Sequence, residues 1–104
     1  MYNSVIDLEA LLYGATLVDI HSLVDVVVTN GYKVGGYCLS PNFLGGLFSL
    51  DGVHPTNTGY AIIANTFIQD MNTTLSTGIP PVSVAQVLNN DPLVFKSALC
   101  GNGH

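Results

Sequence analysis

The sequence predicts an α/β fold built on a parallel sheet that its 104 residues do not complete. Three observations carry this expectation. Ala15-Thr16-Leu17-Val18-Asp19-Ile20 is a short apolar run without clean alternation, as expected for a strand buried on both faces. A helical pattern stopped by Gly14 precedes it, and helix, glycine stop and buried strand in that order form the closing half of a βαβ unit. The chain is also very apolar for its size: charged residues are 9% and hydrophobic residues 48%, against about 25% charged in ordinary globular proteins. A small domain has a high ratio of surface to volume, so this composition implies either an extracellular surface of Ser, Thr, Asn and Gly or apolar surface covered by something else. The second is favoured, because a single strand leaves the hydrogen-bonding groups of both its edges without partners.

The other elements follow in order. Residues 1–13 read as an amphipathic helix, with Val5, Leu8, Leu11 and Leu12 on one face and Asp7 and Glu9 off it. A second helix is expected over residues 22–29, stopped by Asn30-Gly31. Residues 32–50, rich in glycine and aromatics, read as a long packed loop with one helical turn over 42–48. The clearest helix starts at Thr56 or Asn57 and runs to Met71. Tyr60, Ile63, Ala64, Phe67, Ile68 and Met71 form its apolar stripe, and Asn65, Thr66, Gln69 and Asn72 its polar face. Thr56 is the expected N-cap, and Gly59 permits close packing at the first turn. Beyond lie a Ser/Thr/Gly/Pro linker over 73–81, a short helix over 82–89 and a frayed tail over 100–104. The chain thus divides into a folded segment, 1–72, and a linker and tail, 73–104.

The net charge of −5 arises from scarcity of Lys and Arg, represented only by Lys33 and Lys96. No basic patch exists to neutralise phosphates, so nucleic-acid binding is not expected. The longest apolar stretch, 34–50, holds four glycines and Pro41, which argues against a membrane span. Asp7 and Glu9 stand where the apolar centre of a leader peptide would lie. Cys38 and Cys100 lack the spacing of a thiolate zinc site, and a disulfide or two free thiols fit equally well. Asn72-Thr73-Thr74 is a glycosylation-type tripeptide of a kind common by chance. An extracellular or periplasmic location is slightly favoured for the parent protein.

Leu50-Asp51-Gly52-Val53-His54-Pro55-Thr56-Asn57-Thr58-Gly59-Tyr60 carries the chemistry. A carboxylate precedes an imidazole by three residues on a Gly/Pro-bounded turn that opens into a helix. An Asp so placed can fix the tautomer of a His and stabilise the imidazolium formed when the ring takes a proton. The plainer alternative is a helix-start turn, with Asp as cap and Pro55 setting the first-turn geometry. The stretch resembles the last signature of the SGNH (GDSL-type) hydrolases, in which Asp-x-x-His closes a Ser-His-Asp triad. By that resemblance residues 1–72 are the C-terminal part of a three-layer α/β/α domain, with 15–20 its last strand and 57–71 its terminal helix. The resemblance implies an ester hydrolase in which His54 is the general base and Asp51 its orienting partner, acting on an ester substrate without a cofactor.

No Gly-Asp-Ser nucleophile motif and no counterpart of the family's oxyanion-hole Gly and Asn donors occurs in the chain. Those segments would precede Met1, so a complementary N-terminal half, or self-association, is the expected partnership. None of Ser4, Ser22, Ser40, Ser49, Ser76, Ser83 and Ser97 stands in a Gly-x-Ser-x-Gly elbow. Tyr37, Phe43, Leu47 and Phe48, with Leu44, either line an acyl pocket beside His54 or pack as a satellite cluster under the loop. Asp19 and His21 could join Asp51 and His54 around a metal, but Asp19 as a helix cap is the better reading, and no metal site is expected.

Overall fold

The computed structural model describes residues 2–100. Its elements are α1 (Tyr2–Tyr13), α2 (Ile20–Asn30), β1 (Tyr32–Val34), β2 (Tyr37–Leu39), α3 (Asn57–Leu75), α4 (Val84–Asn89) and a 3₁₀ turn, Lys96–Ala98. The protein is about 51% helix, and the antiparallel pair β1–β2 is the only sheet among the described residues. The expected α/β class, a parallel sheet belonging to a three-layer α/β/α domain, is therefore wrong. Residues 15–19 connect α1 to α2 without joining any ladder, and Ile20 already opens α2. Apolar content suits such a run to a strand, but pairing makes it one, and no parallel neighbour is at hand.

The amphipathic α1 forms as expected and ends before Gly14, yet it buries no residue: Leu11 is 81% exposed and Tyr13 80%. In α2, Asp19 is the N-cap, accepting from Ser22 N–H at 3.0 Å and Ser22 Oγ–H at 2.7 Å. These hydrogen bonds, the backbone one foremost, hold the Asp19 carboxyl below its ordinary value. The long loop expected over 32–50 instead begins with a hairpin. Val34 pairs with Tyr37 and Tyr32 with Leu39 around Gly35-Gly36, a two-residue glycine turn that matches strand twist. No helical turn forms over 42–48; a bridge between Ser40 and Gly46 closes that segment.

The core gathers Val27, Leu39, Leu47, Ile62, Leu88 and Ala98, with Leu23, Tyr32, Phe48 and Val94 packed around them. The face of α3 that meets it differs from the expected stripe. Thr58, Gly59, Ala61 and Ile62 are buried, whereas Tyr60 and Phe67 are exposed. Polar anchors set this orientation. Asn65 exchanges two hydrogen bonds with the backbone of Val82, at 2.7 and 2.8 Å. Asn72 does the same with Ile79, at 2.9 Å each. Residues 58, 62, 65 and 72 recur at helical spacing, so these side chains fasten the extended chain at 77–83 along one side of α3. Asn72, its amide engaged on both atoms, is tied into the fold rather than presented as a glycosylation site.

Residues 84–99 return to the body. Asp91, 7% exposed, accepts from Thr58 N–H at 2.8 Å and Thr58 Oγ–H at 2.7 Å through one oxygen, and from Leu93 N–H at 3.0 Å through the other. Asp91→Ala leaves the buried Thr58 donors unpaired and is expected to cost about 3 kcal/mol, read from the denaturant midpoint. A loss under about 0.5 kcal/mol would reject this role for the carboxylate. Leu99 bridges to Tyr37, Cys100 N–H bonds to Gly36 O at 2.9 Å, and Cys100 forms a disulfide with Cys38 across a sequence separation of 62. The two cysteines are thus paired, and the rest of the expected tail, including His104, lies outside the described residues. No helix among the described residues is long and apolar enough to cross a membrane.

Candidate active site

Residues 47–56 fold back on themselves immediately before α3. Thr56 N–H bonds to Leu47 O at 3.0 Å, Phe48 bridges antiparallel to Pro55, and Ser49 N–H bonds to His54 O at 2.7 Å. Leu50 to Val53 form the tip, where Gly52 sits at φ +71°, a left-handed conformation that costs glycine least. The base of the turn is fixed. Thr56, 1% exposed, donates to Gly46 O at 2.8 Å and accepts from Gly59 N–H at 3.0 Å as the N-cap of α3. A Cβ on Gly59 would lie 2.5 Å from Leu47 O and 2.9 Å from the Pro55 side chain, so glycine lets the helix start abut the turn.

Asp51 organises the tip. Its Oδ1 accepts from Ser49 Oγ–H at 2.7 Å, Val53 N–H at 2.8 Å and His54 N–H at 2.9 Å. Its Oδ2 lies 2.7 Å from His54 Nδ1. One carboxylate therefore grips residue 54 by both backbone and ring. The hydrogen bond with the His54 ring, then those from the two backbone N–H groups and from Ser49, hold the Asp51 carboxyl well below its ordinary value of 3.8. An ionised carboxylate can only accept, so Nδ1 carries the hydrogen, and in the neutral ring the lone pair falls on Nε2. The His54 side chain is 72% exposed and that of Asp51 50%, so solvent and salt screen the pair; its worth is geometric more than energetic.

The depressed acid has a direct test. Because the folded pKa lies below 3.8, the contacts of the ionised carboxylate are complete above 3.8 and are lost only as pH falls through the lower, folded value. The Asp51 carboxyl carbon, followed by NMR, is expected to titrate below 3.8, and Ser49→Ala to move its midpoint upward. A midpoint at or above 3.8 in the unaltered chain would contradict the turn geometry.

The structure thus brings Asp51 and His54 together as the sequence pattern implied. A strand-like approach to the turn would point Ser49 away from Asp51, but its hydroxyl is spent on that carboxylate, so it is a support for the carboxylate and not a nucleophile hydrogen-bonded to the ring. The signal was its place two residues before the Asp, within reach of a side chain–side chain bond in a tight turn. Of the residues expected to line an acyl pocket, Leu47 and Phe48 stand in the wall of a cleft between α2 and α3, beside Leu23, Val27, Pro55 and Ile62. Tyr37 packs against the core from β2, and Phe43 is 74% exposed; neither lines that cleft. Asp19 caps α2 and His21 pairs with Asp25 at 3.4 Å. Among the described residues no three His, Cys, Asp or Glu side chains converge as metal ligands. No protein-family model, curated protein or solved structure matches the chain.

Proposed function

We propose that the Asp51–His54 turn is the general-base half of an ester-hydrolysing site of the kind SGNH hydrolases use, with the nucleophilic serine and the oxyanion donors supplied by a partner segment. The observation that carries the reading is the 2.7 Å contact between Asp51 Oδ2 and His54 Nδ1, with Oδ1 held by three further donors. It presents Nε2 as the acceptor. As the serine oxygen bonds to the ester carbonyl carbon, its proton passes to Nε2. The tetrahedral intermediate then expels the alcohol, which takes that proton, and water releases the acid by the same sequence. The reading rests on the turn and not on the fold class.

A second reading, a non-catalytic module that associates with a partner half or with itself, is favoured by α1. This helix buries nothing while exposing Tyr2, Val5, Leu8, Leu11, Leu12 and Tyr13. The radius of gyration, 15.4 Å, exceeds the roughly 13 Å of a compact domain of this size. Apolar surface on this scale invites a partner. The Cys38–Cys100 disulfide favours an oxidising compartment for either reading.

One experiment separates them. A segment bearing a Gly-Asp-Ser motif is combined with this chain, and both capture and ester hydrolysis are measured. Capture with hydrolysis that depends on His54 supports the first reading. Capture with no hydrolysis, or with hydrolysis indifferent to His54→Ala, leaves the second.

A further inference from the structure

We infer that the cleft between α2 and α3 is the seat of the acyl chain and that it selects short-chain esters, a specificity that rests on the ester-hydrolase reading of the adjoining turn. The cleft measures about 120 Å³, and its wall is formed by Leu23, Val27, Leu47, Phe48, Pro55 and Ile62 with other apolar residues. Among the described residues, no ionisable side chain lines it. A cavity of about 150 Å³ with such a lining stays dry and accepts a molecule the size of benzene. The cleft therefore suits an aliphatic chain of about four to six carbons. An acetyl group would leave most of it empty, and a long fatty chain would overrun it. We assign it an aliphatic chain; an apolar side chain of α1 from a second copy, such as Leu11, would be the alternative filling, and the test below tells the two apart.

Position links the cleft to the chemistry. Pro55 in its wall directly follows His54, and Phe48 in the same wall bridges to Pro55. The next pair outward, Ser49 N–H to His54 O at 2.7 Å, belongs to the Asp51–His54 tip. A chain lying against Pro55 is thus seated at the base of the turn that carries His54. The close approach of Gly59 to Leu47 and Pro55 fixes the floor, so the cleft is part of the folded turn.

The test uses the oxidised chain and methyl ketones of increasing alkyl length, which mimic esters but cannot be hydrolysed. Methyl-group NMR is expected to show shifts at Val27, Leu47 and Ile62. Affinity is expected to rise about fourfold per methylene and to level off once the alkyl chain reaches about six carbons. Val28→Phe, a substitution at a rim position 59% exposed, is expected to weaken the best ketone at least tenfold without moving the melting temperature. Val24→Phe, at another exposed rim position, is the companion variant should the first fold poorly. Three results would overturn the inference: affinity that climbs with length without a plateau, shifts centred on α1, or indifference to both rim variants. Binding is read without turnover, so it stands apart from the test of His54. Ketone binding in an assembly indifferent to His54→Ala would sink the hydrolase reading alone, and His54-dependent hydrolysis without ketone binding would sink this one alone.

Discussion

If the Asp51–His54 turn is the general base proposed above, His54→Ala is expected to lower ester hydrolysis by the assembled chain and partner segment about 10³-fold or more, with little effect on folding. The ring is 72% exposed at its side chain and belongs to no part of the core, so removing it opens no cavity. What the proposal says is lost is the acceptor for the serine proton, an interaction made as the transition state forms; the loss should therefore fall on kcat. Asp51→Asn probes the same argument from the other side. An amide keeps one acceptor oxygen, which the three donors now on Oδ1 would hold, and turns its NH2 toward the ring where Oδ2 now lies. That NH2 donates to Nδ1, so the hydrogen of the neutral ring moves to Nε2 and the acceptor is lost while the turn persists. A loss below tenfold for His54→Ala, measured as kcat on a soluble ester with assembly confirmed, rejects His54 as the base.

Replacing both Cys38 and Cys100 with serine is expected to destabilise the chain by about 4 kcal/mol, the chain-entropy value for a loop of this length. The closed loop, with its sequence separation of 62, spans more than half of the protein. The core it supplements is small: among the described residues, Val27, Leu39, Leu47, Ala61, Ile62, Leu88 and Ala98 are the buried hydrophobic ones. Domains of about this size have only about 5–15 kcal/mol in total, so such a loss removes a large share of the stability. The melting temperature is expected to fall by about 15 °C or more. Reductant should reproduce the shift in the unaltered chain and leave the double variant unchanged. A shift under about 3 °C would mean that the unfolded chain gains little freedom when the bridge is cut.

Legibility in the sequence followed how local the cause was. Thr56 as cap and Gly59 as a point of close approach could be read directly, because each acts within a few residues of itself. The Asp51–His54 contact was legible for the same reason: three residues of tight turn settle it. The hairpin at Tyr32–Val34 and Tyr37–Leu39 was legible in principle, since Gly35-Gly36 between two β-prone triplets is a hairpin signal; density of glycine across the whole stretch masked it. Two other features depend on distant partners. Residues 15–20 have the composition of a buried strand, but nothing within the run says whether another strand will lie beside it. The inward face of α3 was chosen by Asp91 on Thr58, 33 positions away, and by Asn65 and Asn72 on the returning chain. An apolar stripe counts only hydrophobic burial, whereas here hydrogen bonds to buried or extended backbone turn the helix.

The disulfide also has a topological meaning. Residues 38 to 100 form a covalent ring that encloses the Asp51–His54 turn, α3 and α4, while α1 and α2 lie on the strand of chain outside it. A single cut within the ring, for instance in the connecting stretch at 77–83, detaches no mass and leaves the turn joined to both flanks. A single cut at 15–19, beyond the ring, sheds the apolar arm α1 entire. The molecule is in this sense a closed loop carrying the Asp51–His54 turn with a severable arm carrying the greasy surface, and its oxidation state decides which wounds it survives in one piece.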